Sequence, residues 1–220
     1  MTSAPVVTAD TLSPTIPVFP LSGALLLPRG ELPLHIFEPR YRDMVRDSAS
    51  AHGLIGMIQP TKPELATERP ELYRIGCVGR LSGLRETDDG RYHLTLIGLC
   101  RYMVVEELPM THGYREVIAN YGNFLSDLDP SPPSGTNRED LLTALKNYLD
   151  ARELETDWEQ VADIDEETLI NALAMMCPFD PREKQALLEA PGLAQRSEAL
   201  IALFKMGGVA VGEDGPVYLQ

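Results

Sequence analysis

The sequence predicts an α+β fold in which a small, strongly bent or closed β-sheet with one inserted helix precedes a carboxy-terminal helical bundle. Three observations support this prediction. Between residues 16 and 121, short apolar runs are broken by Gly and Pro, a pattern typical of strands. A Thr-Asp-Asp-Gly turn separates the two longest runs. Beyond residue 140, apolar residues recur at helical spacing instead.

Six strands are predicted in the first half of the chain. They cover residues 17–21, 32–37, 54–58, 73–85, 91–106 and 114–121. The turn contains Asp89-Gly90, and because these residue types tolerate positive φ angles, we expect the flanking strands to form an antiparallel hairpin. A helix is predicted to begin at Pro39, where a proline loses no hydrogen bond, and to end near Gly53. Its apolar face would contain Tyr41, Met44, Val45 and Ala49.

Four helices are predicted in the second half. Thr136 and Glu139 fit a capping box for the first, Asp165 can cap the second, Pro181 begins the third, and the fourth covers 193–206. Gly207 and Gly208 offer the fourth helix a natural end. The predicted organisation is a flexible amino terminus (1–15), a β-barrel subdomain (16–125), a linker rich in Pro, Ser and Asp (126–140), a helical bundle (141–206) and a tail (207–220).

Composition favours a globular protein of a reducing compartment. The chain has 220 residues, of which 44% are apolar and 24% charged, close to globular averages. No apolar run approaches the roughly 18 residues of a membrane span, and the amino terminus does not resemble a secretory signal, so we expect a cytoplasmic location. Cys77, Cys100 and Cys177 form no CxxC pair and are interpreted as buried small residues.

The net charge of −14 is concentrated in the second half of the chain. Residues 1–125 contain 12 Lys or Arg against 14 Asp or Glu, whereas residues 126–220 contain 7 against 19. Because Lys and Arg supply most of the non-specific affinity for polyanions, this distribution disfavours nucleic acid as a partner.

Motifs for catalysis or cofactor binding are mostly absent from the sequence, and only a Ser–Lys pair, whose members need not be neighbours, is left open. No lysine follows the glycine that a Walker A loop requires, and neither a GxSxG elbow nor an HExxH pair occurs. The sequence therefore predicts no catalytic residues, no cofactor and no metal ligands. Four arginines form a modest basic cluster, namely Arg29, Arg40, Arg42 and Arg46. They are interleaved with Glu31, Glu38, Asp43 and Asp47, which favours local ion pairs over a binding surface.

Several separated motifs resemble those of the Lon protease amino-terminal (substrate-binding) domain family. They are VFPL at 18–21, LLLP at 25–28, LPLHIFEPRY at 32–41, YRIGCVGRL at 73–81, DDGRYHLTLIGLCRYMV at 88–104 and EKQALLE at 183–189. Their order and spacing extend over nearly the whole chain. The resemblance implies a PUA-like β pseudobarrel followed by a helical bundle, which agrees with the pattern of strands and helices.

The resemblance also implies a function. It suggests a non-enzymatic module, in a stand-alone form without the ATPase and peptidase domains, that binds unfolded or degron-bearing polypeptides or a protein partner. A separate ATPase or protease is left open as a further partner, as are the client, the binding surface and the oligomeric state. A nucleic-acid-binding PUA-like module is the alternative, and it would require a continuous basic face.

The signature residues are predicted to be mainly structural. They are Pro20, Leu21, Pro28, Leu34, Phe37, Glu38, Arg40, Tyr41, Gly76, Gly98 and Arg101. We expect Leu34 and Phe37 to fill the core and Gly98 to permit a close backbone approach. Glu38 and Arg101 are charged residues within apolar segments, and the prediction is that they form an ion pair that orients the first helix against the long hairpin. A polypeptide-binding role further predicts an exposed apolar patch or a groove.

Overall fold

The computed structural model describes residues 8–62 and 69–209. The chain divides into two compact units. The sheet unit contains the residues up to Pro130 together with Phe179–Leu188, and the helical unit contains Ser131–Pro178 together with the residues from Glu189 onward. Parts of the predicted flexible amino terminus (residues 1–7) and of the predicted tail (residues 210–220) lie outside the described residues.

The sheet unit contains six strands. They are β1 (Thr15–Pro20), β2 (Glu31–Ile36), β3 (Leu54–Ile58), β4 (Ile75–Glu86), β5 (Tyr92–Glu107) and β6 (Arg115–Asn120). The six predicted strands are confirmed, each within two residues at both ends. Short 3-10 helices at Ala9–Thr11 and Gly122–Leu128 flank them. Leu12 packs into the sheet core, so this unit begins earlier than residue 16.

The strand pairings close into a ring. β1 pairs with β3 in parallel, and the antiparallel pairs β3–β4, β4–β5, β5–β6 and β6–β1 complete the circuit. β2 lies outside this ring and pairs with the first half of β5. Register shifts at Val78/Gly79 and Val104/Glu106 interrupt the β4–β5 and β5–β6 pairings, and irregularities of this kind let long strands bend into a closed sheet.

The predicted hairpin between β4 and β5 is confirmed. Gly90 has a φ of 73° and donates its amide to the Thr87 carbonyl at 2.8 Å, which closes the turn. The predicted close approach at Gly98 is confirmed as well. A Cβ atom at this position would lie 2.0 Å from the Leu27 carbonyl oxygen, so no larger residue fits without moving the backbone.

The helix predicted after Glu38 is confirmed as α1 (Pro39–Ser50). Pro39 occupies its first turn, and Gly53 has a φ of 67° just beyond its end. Its buried residues are Tyr41, Met44, Val45 and Ser48. Ser48 therefore replaces the predicted Ala49, which is exposed.

The helical unit contains α2 (Arg138–Asp150), α3 (Trp158–Asp163), α4 (Glu166–Met176) and α6 (Leu193–Val209), with α5 given below. Asp165 caps α4 as predicted, accepting from the Thr168 amide at 3.0 Å. The cap of α2 is Asn137 rather than the predicted Thr136, because the Asn137 side chain accepts from the Glu139 amide. α3 was not predicted, and α6 continues through Gly207 and Gly208.

α5 (Pro181–Glu189) differs most from the predicted organisation, which placed it in the bundle. All but its last residue belong to the sheet unit. The Gln59 amide donates to the Pro181 carbonyl at 3.0 Å, Gln185 donates to the Ile75 carbonyl at 3.1 Å, and Lys184 donates to the Gly23 carbonyl at 2.9 Å. Its periodicity indicates a helix with one buried face, but periodicity does not reveal which element covers that face.

Candidate functional site

Arg101 pairs with Asp127, so the predicted ion pair with Glu38 is wrong. The Asp127 carboxylate accepts from Arg101 Nε and Nη2, both at 2.8 Å, and from the Arg101 backbone amide at 3.0 Å. Arg101 Nη1 donates to the Leu188 carbonyl at 3.2 Å. Both residues are buried. A charge removed from water needs a close partner, and each of these side chains supplies one to the other. Glu38 is instead partly exposed and bonds Arg40 at 2.8 Å.

The other signature residues divide between core and surface. Gly76 is structural, since a Cβ there would lie 2.5 Å from the Met57 carbonyl oxygen. Pro28 is buried, whereas Leu21 and Leu34 are only half-buried. Phe37 is 58% exposed, so the expectation that it fills the core is wrong. Phe37 directly follows Ile36, the buried last residue of β2. Successive side chains of an extended chain point to opposite faces, so Phe37 points away from the core.

The interpretation of the basic cluster as local ion pairs is supported for two of its arginines. Arg40 bonds Glu38, and Arg46 bonds Asp43 on the same helix. Arg29 instead donates to the Asp127 carbonyl at 2.5 Å. Arg29, Arg40 and Arg46 thus each bond a different polar partner.

The described residues of the sheet unit outline a cleft with a volume of about 710 Å³. We call it the Tyr41 cleft. Its lining residues are Pro20, Arg40, Tyr41, Arg69, Pro70, Met110, Gly113, Tyr114 and Arg115. They come from the end of β1, the start of α1, the segment before β4, the loop between β5 and β6, and the first residue of β6. Three signature residues, Pro20, Arg40 and Tyr41, thus belong to this surface.

Aromatic and apolar groups form much of the Tyr41 cleft. Tyr41 and Tyr114 are mostly buried, and the Tyr41 ring packs against Phe19 with the ring centroids 4.3 Å apart. Met110 is 52% exposed on the loop before β6. An unbranched thioether side chain adapts its shape to different apolar partners, so this position suits variable ligands.

Arginines supply the charged part of the cleft. Arg115 bonds Glu107 through Nε at 2.9 Å and Nη2 at 2.6 Å, and it donates to the Pro70 carbonyl at 2.7 Å. Arg69 bonds the same Glu107 carboxylate at 2.6 Å. Burial raises the pKa of Glu107, but the hydrogen bonds from Arg115 and Arg69 outweigh burial and lower that pKa below its ordinary value.

The two tyrosines of the cleft have opposite electrostatic surroundings. Burial raises the pKa of Tyr41, and the nearby charges include the cations Arg40 and Arg115. Burial also raises the pKa of Tyr114, and its hydroxyl donates to the Asp47 carboxylate at 2.9 Å. Both phenols are therefore protonated at neutral pH and can donate or accept hydrogen bonds.

The chemistry of the lining suits binding. Its described residues offer phenols, guanidinium groups, a thioether and prolines, which can form hydrogen bonds and apolar contacts with a ligand. Within residues 8–62 and 69–209, no group of three or more His, Cys, Asp and Glu side chains is placed to hold a metal ion. All three cysteines are buried, and burial raises the pKa of the Cys100 thiol to about 12, so this thiol is not a ready nucleophile.

Sequence reasoning did not identify Asp127, Met110 or Tyr114. Asp127 lies in the Ser- and Pro-rich stretch that was predicted as a linker, and Met110 and Tyr114 lie in or beside a loop. A buried aspartate in a polar segment has no local signal, because its partner Arg101 is distant in sequence. A large apolar residue such as Met110 in a short interstrand loop is the one signal that could have suggested a surface role.

Comparison with known proteins gives a consistent result. Residues 15–205 match the sequence model of the ATP-dependent protease La (LON) substrate-binding domain. A segment of 96 residues is 29% identical to the Lon protease of Desulfosudis oleivorans, and it covers 43% of this chain but 12% of the length of that protein.

Solved structures also share the fold, among them two Lon N-terminal domains. One is the Lon N-terminal domain protein from Xanthomonas campestris, with a TM-score of 0.60 and 22% identity, over 86% of this chain and 97% of that one. The other is the N-terminal domain of the Mycobacterium avium complex Lon protease, with a TM-score of 0.56 and 16% identity, over 87% of this chain and 98% of that one.

Proposed function

Because the chain belongs to the ATP-dependent protease La (LON) substrate-binding domain family, we propose that it is a non-enzymatic module that binds unfolded or degron-bearing polypeptides through the Tyr41 cleft. The observation that carries this proposal is the composition of the cleft. Tyr41, Tyr114 and Met110 offer adaptable apolar contact, and arginines at its rim can bind peptide carbonyl or carboxylate groups.

The expected affinity is modest. Burial of three apolar side chains of a client yields roughly 5 to 9 kcal/mol, from which association and the ordering of a flexible chain subtract several kcal/mol. A single cleft of this kind should therefore bind with a dissociation constant in the micromolar to millimolar range. Affinity that is useful for selection would come from several contacts on one client or from several copies of the module.

The first prediction concerns Met110. We expect Met110→Ser to weaken binding of an alkylated, permanently unfolded polypeptide by about three- to tenfold, because it removes exposed apolar contact from the cleft. Fluorescence anisotropy with the labelled polypeptide measures this change. Met110 is half-exposed, so the substitution should leave the unfolding transition nearly unchanged.

Met176→Ser is the matched control. Met176 is 82% exposed in the helical unit, outside the cleft, and its substitution should leave binding unchanged. Equal effects of the two substitutions, or equal binding of the polypeptide in its folded and unfolded forms, would contradict the proposal. Comparable binding of an oligoribonucleotide at low salt would favour the nucleic-acid-binding alternative instead.

A further inference from the structure

Two arginines at the Tyr41 cleft retain hydrogen-bonding capacity toward solvent. The side chains of Arg40 and Arg69 are 45% and 54% exposed. Each guanidinium bonds one carboxylate through Nε and Nη2, Arg40 to Glu38 and Arg69 to Glu107. A guanidinium has five N–H donors, so each arginine can also bind a second acceptor.

The carboxylates around these arginines do not balance the positive charge. Arg69 and Arg115 share the single carboxylate of Glu107. Among the described residues, three arginines and no Asp or Glu line the cleft, whereas the chain as a whole carries a net charge of −14. The three arginines bond two carboxylates, Glu38 and Glu107, so this cluster keeps one positive charge in excess, and charge complementarity favours an anionic ligand group beside it.

The charge is also polarised within the cleft. Around the Tyr41 hydroxyl the charged neighbours are Arg40, Arg115 and Glu38, with two cations against one anion. Around the Tyr114 hydroxyl the charged neighbours are Asp47, Glu116 and Asp43. An anionic group would accordingly be attracted to the Tyr41 side and repelled from the Tyr114 side, while Met110 provides apolar contact.

We propose that the Tyr41 cleft selects polypeptide segments in which a carboxylate lies next to large apolar side chains, with the carboxylate bound by Arg40 and Arg69. This inference rests on the proposed polypeptide-binding function and specifies its ligand. The carboxylate can come from an Asp or Glu side chain or from the carboxy terminus of the client, since both present the same group to a guanidinium.

Four matched labelled peptides test the proposal by fluorescence anisotropy. Three are amidated Gly/Ser peptides with a central Leu-Phe-Leu followed by Glu, Gln or Lys. The fourth ends in Leu-Phe-Leu with a free carboxy terminus. We expect the Glu peptide to bind about three- to tenfold more tightly than the Gln peptide, and the Lys peptide to bind most weakly. Tight binding of the fourth peptide would assign the terminal carboxylate as a second source of the same group.

Substitutions then locate the selectivity. In the double variant Arg40→Gln and Arg69→Gln, the ratio of Glu to Gln peptide affinity should fall to about one. Arg46→Gln is the control, because Arg46 is an exposed arginine of α1 that bonds Asp43 and does not line the cleft. It should leave the ratio unchanged.

The outcomes separate this inference from the proposed function. Equal affinity of the wild-type protein for the Glu and Gln peptides, both weakened by Met110→Ser, would overturn the selectivity and leave the proposed function standing. A preference for Glu that survives in the double variant would overturn the assignment to Arg40 and Arg69. Failure of every peptide and of the unfolded polypeptide to bind would overturn both proposals.

Discussion

The Arg101 and Asp127 side chains form the most fully satisfied ion pair in the described part of the sheet unit. The carboxylate binds three N–H groups of Arg101, and the guanidinium reaches a carbonyl of α5 and stacks over the Phe124 ring at 4.9 Å. A buried pair of this kind gains little over apolar residues of the same shape. Removal of one partner is costly, because the other charge stays buried but loses the opposite charge of the pair.

We therefore expect Asp127→Asn to destabilise the protein by about 3 to 5 kcal/mol. Urea unfolding followed by circular dichroism measures the loss. Glu38→Gln is the control, since the Glu38 pair with Arg40 is exposed, and it should change stability by less than about 1 kcal/mol. A similar small effect at both positions would show that Asp127 does not neutralise Arg101 as the geometry indicates.

Among secondary-structure elements, the strands were the easiest to predict. Alternating apolar residues, Gly and Pro boundaries and the Asp-Gly turn are local signals, and together they gave all six strands and the hairpin. Partners distant in sequence were not predictable in this way. Arg101 was assigned to Glu38 because both are charged residues within apolar segments. The observed ion pair is with Asp127, which lies in a polar segment where an aspartate carries no local signal of burial.

The Tyr41 cleft could not be predicted for the same reason. It is built by residues from five separate segments, and Met110, Tyr114 and Arg69 carry no pattern that relates them to Tyr41 before the ring of strands closes. The family resemblance did supply Pro20, Arg40 and Tyr41, but as structural positions. Their location at a cleft became apparent only from the fold.

Glu107 links β5 to β6 in a pH-dependent way. Its pKa is lower in the folded protein, where it bonds Arg115 and Arg69, than in the unfolded chain. A carboxylate with a lowered folded-state pKa adds stability above its unfolded-state pKa, and this contribution is lost as the pH falls through the folded-state value. The contribution of Glu107 should therefore be complete at neutral pH and decline below about pH 5.

The corresponding prediction is that Glu107→Gln lowers the free energy of unfolding at pH 7 and that the difference from the wild-type protein shrinks as the pH falls from about 5 to about 3. Urea unfolding at a series of pH values measures this. Glu106→Gln, at the exposed neighbouring position, should show no such trend. A difference that stays constant over this pH range would contradict the role of the Glu107 charge.

At the scale of the whole molecule, the two units are interleaved along the chain. Phe179–Leu188 belong to the sheet unit although they follow Ser131–Pro178 of the helical unit. α5 buries Leu187 and Leu188, and it supplies the carbonyl that Arg101 Nη1 binds.

Within the described residues, no helix is both long and apolar enough to cross a membrane.

A fragment that ends at Pro130 should therefore fail to unfold cooperatively, because it lacks the apolar and polar groups of α5. The same fragment with residues 179–189 attached through a flexible Gly/Ser linker should recover a cooperative transition in urea, since the linker restores the missing helix. A shuffled version of the attached segment is the control. A cooperative transition of equal midpoint in the shorter fragment would show that α5 is dispensable for the sheet unit.

The position of α5 has a consequence for synthesis of the protein. All six strands leave the ribosome before α5 is translated, yet the sheet unit is complete only when that helix arrives. During this interval the surface that α5 will cover stays open, and the nascent chain is exposed to chaperones and proteases. A protein whose proposed ligands are unfolded polypeptides would thus itself pass through an incompletely folded state. Synonymous codon changes between residues 131 and 178 that slow translation would lengthen this interval, and they should therefore lower the yield of the protein in cells.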